Sequence, residues 1–236
     1  MAYKRVLLKL SGEMFAGNSE SGIDSSFLNN LTKELKALVD DTKVQLAVVV
    51  GGGNIMRARD DHNGFERVTA DYMGMLGTVI NGMALVDVAE KAGLQARLLS
   101  RLNVNSVAEP YIRRRGTRHL EKDRLVVVAG GTGNPYVTTD TAAVVTALEL
   151  DCEAVLKATK VDGVYDKDQT KHQDAKKLDK LSYHDAIVNE EITVMDDGAV
   201  SLASENKLPI VVFDLTGEGN IKKIVQGEQI GTTISN

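Results

Sequence analysis

One run constrains this chain more than any other: Val44–Val50 is almost unbroken apolar sequence, and it stops at Gly51-Gly52-Gly53. A strand that is apolar on both faces belongs in the middle of a parallel sheet with helices on either side. The glycines let the chain turn sharply and expose backbone amides at the strand's carboxyl end. Runs of the same kind recur at Val6–Leu10, Ala96–Leu99, Leu125–Ala129, Ala154–Leu156, Ile210–Phe213 and Thr232–Ile234. Between them, apolar residues recur at helical spacing. Asp24 is placed to cap a helix that carries Phe27, Leu28, Leu31, Leu35 and Leu38 on one face. A long helix is expected within Phe65–Lys91, with Leu76, Val79, Ile80, Met83 and Val86 as its buried stripe. Further helices are expected from Thr139 to Leu150 and around Tyr183–Val188, Asp197–Asn206 and Ile221–Val225, whereas Lys157–Gln173 reads as an irregular polar loop.

This alternation predicts an α/β fold, a three-layer αβα sandwich with a mainly parallel central sheet. No linker-like tract divides the chain, so residues 1–236 read as one domain of two lobes around a continuous sheet, 1–153 and 154–236. Right-handed crossovers gather the strand-end loops at one rim, the usual ligand side of such a sheet.

Composition removes several function classes. With 33 acidic against 28 basic residues the net charge is -5, which argues against a dedicated nucleic-acid binder. Cys152 is the only cysteine, so an intrachain disulfide and a four-cysteine zinc site are both excluded; it follows an apolar run and reads as a packing residue. His62, His119, His172 and His184 show no metal-ligand spacing. The first apolar run is too short for a membrane span or a signal core, and no other run is read as reaching membrane length, so a cytoplasmic protein without a membrane segment is expected. There is no G-x-x-x-x-G-K-[ST], no H-R-D with D-F-G and no G-x-S-x-G.

Four loops carry the chemistry. In Lys9-Leu10-Ser11-Gly12-Glu13 a lysine near the end of a strand can reach phosphate oxygens, or can snorkel at the sheet edge. Gly51-Gly52-Gly53-Asn54 can form an anion-binding nest, with Arg57 following as a guanidinium clamp, or can be a tight turn with a surface arginine. Gly130–Asp140 compresses glycines, hydroxyls, an amide and a helix start into eleven residues. Thr138 or Thr139 can cap that helix, but capping does not account for the glycines before it, so a ligand site is the better reading. In Lys157–Tyr165 either Lys157 or Lys160 can approach phosphate and Tyr165 can pack on a base; Asp162-Gly163 is also an ordinary turn. Arg113-Arg114-Arg115 reads first as a solvated helix face.

These loops, in this order, resemble the bacterial uridylate kinases of the amino-acid-kinase superfamily. The resemblance runs from Tyr3 to about Thr233; Asp71-Tyr72-Met73-Gly74-Met75-Leu76 and the Gly131–Asp140 segment select that family among its relatives. It implies an ATP-dependent kinase of uridine monophosphate (UMP), with an acceptor lobe over 1–153 and an ATP lobe over 154–236. Lys9, Leu10, Ser11, Gly12, Gly53, Arg57, Thr159, Tyr165 and Asp168 match ATP positions. Gly52, Asp71 and the segment Thr132, Gly133, Asn134, Pro135, Tyr136, Val137, Thr138 and Thr139 match acceptor positions, with Asp71 on the ribose. Lys9 and Asp140 are the implied catalytic pair, Asp140 organising the phosphate-binding groups. Magnesium would arrive with ATP, since no dedicated metal motif is present. The resemblance further implies a homohexamer built as a trimer of dimers, activated by GTP and inhibited by UTP, with Gly17–Gly22 as a regulatory loop. Ala58 and Gln169 depart from the family pattern. Two alternatives remain: another small-molecule kinase of the superfamily, or a catalytically silent nucleotide sensor.

Overall fold

A computed structural model describes residues 2–56, 64–167, 171–172, 174–189, 191–192 and 194–236. Its elements are β1 (Arg5–Leu10), α1 (Gly12–Phe15), α2 (Ser25–Thr42), β2 (Gln45–Val50), α3 (Arg67–Lys91), β3 (Ala96–Ser100), β4 (Glu109–Pro110), α4 (Arg113–Leu120), β5 (Leu125–Ala129), α5 (Thr139–Glu149), β6 (Ala154–Thr159), β7 (Val164–Tyr165), β8 (Lys177–Leu178), β9 (Lys180–Ser182), α6 (Tyr183–Val188), α7 (Asp197–Glu205), β10 (Ile210–Asp214), α8 (Asn220–Val225) and β11 (Thr232–Ser235). Among the described residues the main sheet runs β4-β3-β5-β2-β1-β6-β10-β11-β9, and β7 pairs with β8 apart from it. Every pairing from β4 to β10 is parallel; β11 turns antiparallel to β10 and carries β9 with it. The expected mainly parallel sandwich is therefore present.

Strand alternation divides the core in two. Val6, Leu8 and Leu10 of β1 with Leu46, Val48 and Val50 of β2 face α2, α3 and α8. Leu7, Ala47, Val49 and Val155 face α5 and α7 on the other side. Lys9 and Lys157 share the parity of Leu7 and Val155, so the pleat turns both toward α5. Cys152 is buried in this second core, and burial pushes its thiol up to about 12, as suits a packing residue.

Two expectations need correction. The first is the stripe on α3. Val79 is buried and Val86 partly so, but Leu76, Ile80 and Met83 stand 45%, 45% and 42% exposed. The buried face consists of Ala70, Met75, Gly77, Thr78, Val79, Asn81, Gly82, Leu85 and Ala89. The reason is close approach: a Cβ on Gly82 would lie 2.6 Å from Leu98 Cδ1, and one on Gly77 would lie 3.1 Å from the Gly52 carbonyl oxygen. α3 also contains a stretch long and apolar enough, by length and composition, to cross a membrane, contrary to the reading of its sequence. It lies instead against α2, β3 and β5 as part of one helical layer. The second correction concerns Lys157–Gln173, where β6 continues through Thr159 and β7 forms at Val164–Tyr165.

Candidate active site

The carboxyl ends of β1, β2 and β5 open onto a cavity of about 430 Å³. Its floor is built by backbone packed against backbone. A Cβ on Gly12 would lie 2.3 Å from Gly53 N, and one on Gly52 would lie 2.3 Å from the Gly74 carbonyl oxygen, so neither position accepts a side chain without movement. The Gly130 turn needs positive φ at Gly130 (84°), Gly131 (56°) and Gly133 (82°).

The polar residues buried in α3 hold these loops. Asn81 Nδ2 donates to the Gly51 carbonyl oxygen at 2.7 Å, and Asn81 and Asn54 exchange amide hydrogen bonds at 2.7 and 3.0 Å. Thr78 Oγ1 accepts from Gly130 N at 2.7 Å. One helix face thus anchors both glycine loops, which is why the buried face carries Thr78 and Asn81 as well as apolar residues.

At the foot of the cavity Lys9 Nζ lies 2.6 Å from Asp140 Oδ1, and Lys157 Nζ donates to Asp140 Oδ2 at 2.8 Å. Lys157 also donates to the Val194 carbonyl oxygen. Asp140 sits in the first turn of α5, whose N-cap is Thr138: its hydroxyl accepts from Asp140 N at 3.1 Å and Thr141 N at 3.4 Å. Thr138 in turn donates to Asp196, the N-cap of α7, which also accepts from Thr141 Oγ1 at 2.8 Å. Burial would raise the Asp140 pKa, but the Lys9 and Lys157 ammoniums override it and hold the carboxyl below its ordinary value. Burial lowers Lys157, assisted by the Lys9 charge and opposed by Asp140. Asp140 counters both ammoniums and Asp196 also acts on Lys157; the Lys9 ammonium, on the cavity wall among glycine amides, is placed to attract phosphate oxygens.

Of the residues singled out from the sequence, Lys9, Ser11, Gly12, Gly52, Gly53, Asp71, Asn134, Val137, Thr138 and Thr139 line this cavity. Leu10 does not: its side chain is buried in the core on the α2 side. Thr132, Gly133, Pro135 and Tyr136 belong to the same loop but do not line it, and Tyr136 is 67% exposed. Thr159 donates to the carbonyl oxygens of Val161 (2.6 Å) and Phe213 (3.0 Å), and the Tyr165 hydroxyl donates to Asp162, both outside this cavity. Arg57 and Asp168, like Ala58, His62 and Gln169, lie outside the described residues. Two further residues enter here. Arg67 lines the cavity and pairs with Asp71, and its signal was the i,i+4 spacing of opposite charges at the start of a helix. Lys157 was set in a loop only as one of two lysines able to approach phosphate.

The profile of the Amino acid kinase family matches residues 4–214. The crystal structure of UMP kinase from Bacillus anthracis is 39% identical with a TM-score of 0.94, covering 100% of this chain and 97% of that one. UMP kinase from Ureaplasma parvum is 28% identical with a TM-score of 0.91, and uridylate kinase from Archaeoglobus fulgidus 27% with 0.75, each covering 100% of both chains.

Proposed function

This chain belongs to the amino acid kinase family, and we propose that it transfers the γ-phosphoryl group of ATP to UMP, forming UDP and ADP. The observation that carries this reading is the Lys9–Asp140–Lys157 group, whose Lys9 lines a glycine-walled cavity with the other two directly behind it. The full-length likeness to UMP kinases supports UMP as the acceptor. A UMP phosphate oxygen attacks the γ-phosphorus in line and the β–γ bridging oxygen leaves with ADP. The attacking oxygen is already anionic, so no general base is required. Lys9, Lys157 and the amides of Gly12, Gly52 and Gly53 counter the charge on the transferring group, and Asp140 holds the two ammoniums in place.

Within this reading, 1–153 is the acceptor lobe and 154–236 the ATP lobe. Lys9, Ser11, Gly12 and Gly53 meet ATP phosphates, with Leu10 contributing backbone only and Arg57, Thr159, Tyr165 and Asp168 extending the ATP side. Gly52, Asp71 and Thr132–Thr139 meet UMP. Among the described residues no three His, Cys, Asp or Glu side chains are grouped to hold a metal ion. In this reading magnesium enters as part of the ATP complex, neutralising phosphate charge.

The exposed apolar face of α3, with Tyr72, Leu76, Ile80 and Met83, supports assembly of several copies, for which the homohexamer is the proposed form. In this reading GTP and UTP act at the Gly17–Gly22 loop, an assignment supported by a second cavity of about 490 Å³ that Gly17 and Asn18 border. The protein is placed in the cytoplasm, with its nucleotides.

A substrate panel with ATP tests the reading. Product with UMP, and little with carbamate, glutamate or aspartate, is expected; preference for a carboxylate or carbamate overturns it. Binding of both nucleotides without UDP would favour the silent sensor, a reading opposed by the intact Lys9–Asp140–Lys157 group.

A further inference from the structure

Asp71 offers its acceptor one free oxygen. Its Oδ2 accepts from Arg67 Nε at 2.9 Å and from Tyr136 N at 2.8 Å, while no donor among the described residues meets Oδ1. The side chain is only 15% exposed and lines the cavity. Arg67 makes a second contact: its guanidinium carbon lies 5.4 Å from the centroid of the Tyr136 ring. Tyr136 holds φ at 67°, a left-handed conformation that a tyrosine adopts only when its surroundings impose it. Two contacts meet it in that conformation, one on the tyrosine's backbone N–H and one on its ring.

We propose that Arg67 is a positioning residue for the sugar of the acceptor nucleotide, an inference that rests on the UMP reading above. By occupying Oδ2, Arg67 and Tyr136 N turn Oδ1 into the cavity as the acceptor for the ribose hydroxyls. By stacking on Tyr136, Arg67 also fastens the 131–138 loop to the first turn of α3. The same guanidinium therefore sets the sugar wall and the loop that closes over it. Without it Asp71 is free to rotate, and a site built to bond a hydroxyl loses its preference for substrates that have one.

The test is steady-state kinetics with UMP and with 2′-deoxyUMP on the full chain, comparing the wild type with Arg67→Gln and Arg67→Lys. Arg67 stands in the first turn of α3 with its side chain 35% exposed, and Arg67→Lys keeps the charge while removing the Nε–H and the guanidinium over the ring. Arg67→Gln is expected to raise KM for UMP about tenfold with kcat within about twofold, and to leave KM for ATP unchanged. KM for 2′-deoxyUMP should move about twofold or less, so that the preference for UMP largely disappears, as it should in Asp71→Asn. Arg67→Lys should fall between. Equal loss with UMP and 2′-deoxyUMP in both variants would make Arg67 a phosphate clamp and overturn the assignment; so would an unchanged preference, or a matching rise in KM for ATP. A wild type that makes no UDP overturns the acceptor reading itself, an outcome distinct from a wild type that makes UDP while its Arg67 variants keep their preference.

Discussion

Lys9 and Lys157 stand opposite one another in register on the neighbouring parallel strands β1 and β6, and both reach the single carboxylate of Asp140. Parallel pairing with a two-residue pleat turns the two ammoniums to the same side of the sheet, where the first turn of α5 supplies the carboxylate. Both lysines lie at the end of the sheet where the glycine loops open.

The two lysines should separate by their effects on stability. Lys157 is held below its ordinary pKa chiefly by burial, so the folded state binds its proton less readily than the unfolded state does. Its charge therefore opposes folding fully below the folded pKa, and the opposition fades as pH rises toward the unfolded value. Lys157→Met should lower kcat by about a hundredfold while leaving unfolding free energy at pH 7 unchanged or higher. Urea unfolding alongside turnover checks this; a large stability loss with normal kcat would make Lys157 a purely structural residue. Lys9→Ala should cost turnover at least as much.

Asp140→Asn is expected to behave in the opposite sense. It leaves two buried ammoniums without a counter-charge, and breaking such a group costs on the order of 3 kcal/mol. Its stabilising charge is present above the ordinary carboxylate pKa and is lost as pH falls through the lowered folded value. The deficit of the variant in denaturant titrations should accordingly be large at pH 7 and shrink at strongly acid pH. A deficit that stayed constant with pH would assign the effect to packing.

Gly12→Ala places a methyl group 2.3 Å from Gly53 N. Because the obstructing atom is backbone, the two phosphate loops must part. Stability should fall by about 1–3 kcal/mol and KM for ATP should rise. Calorimetric titration with a non-hydrolysable ATP analogue reports the second effect directly, and unaltered binding would remove Gly12 from the phosphate site.

The α3 face gives a prediction about assembly. Ile80→Glu introduces a charge into the exposed strip of Tyr72, Leu76, Ile80 and Met83, and it should shift the mass measured by light scattering from a multiple of the chain toward a single chain. A wild type that already runs as a single chain contradicts assembly through this face.

The sheet was legible because its main strands are short, mostly apolar runs, and the site was legible where glycines cluster without a capping reason. Lys157 was legible only as one of two loop lysines able to reach phosphate, because a lysine after Ala154-Val155-Leu156 looks like the end of a strand. Yet Val6-Leu7-Leu8-Lys9 has the same pattern, and two such strands paired in parallel bring their lysines together. The α3 stripe was misread for a different reason. Apolar periodicity marks a buried face only when large side chains fit there, and here the inner face must lie close enough to two glycine loops to hydrogen-bond them through Thr78 and Asn81. Leu76, Ile80 and Met83 keep the period and take the outer side.

The central claim is phosphoryl transfer from ATP to UMP, and following the label from [γ-32P]ATP with unlabelled UMP and magnesium tests it most directly. The account predicts that label appears at the β-position of UDP in the wild type and falls by about a hundredfold or more in Lys9→Ala. Label that appears only as inorganic phosphate, or that never leaves ATP while both nucleotides bind, would contradict it.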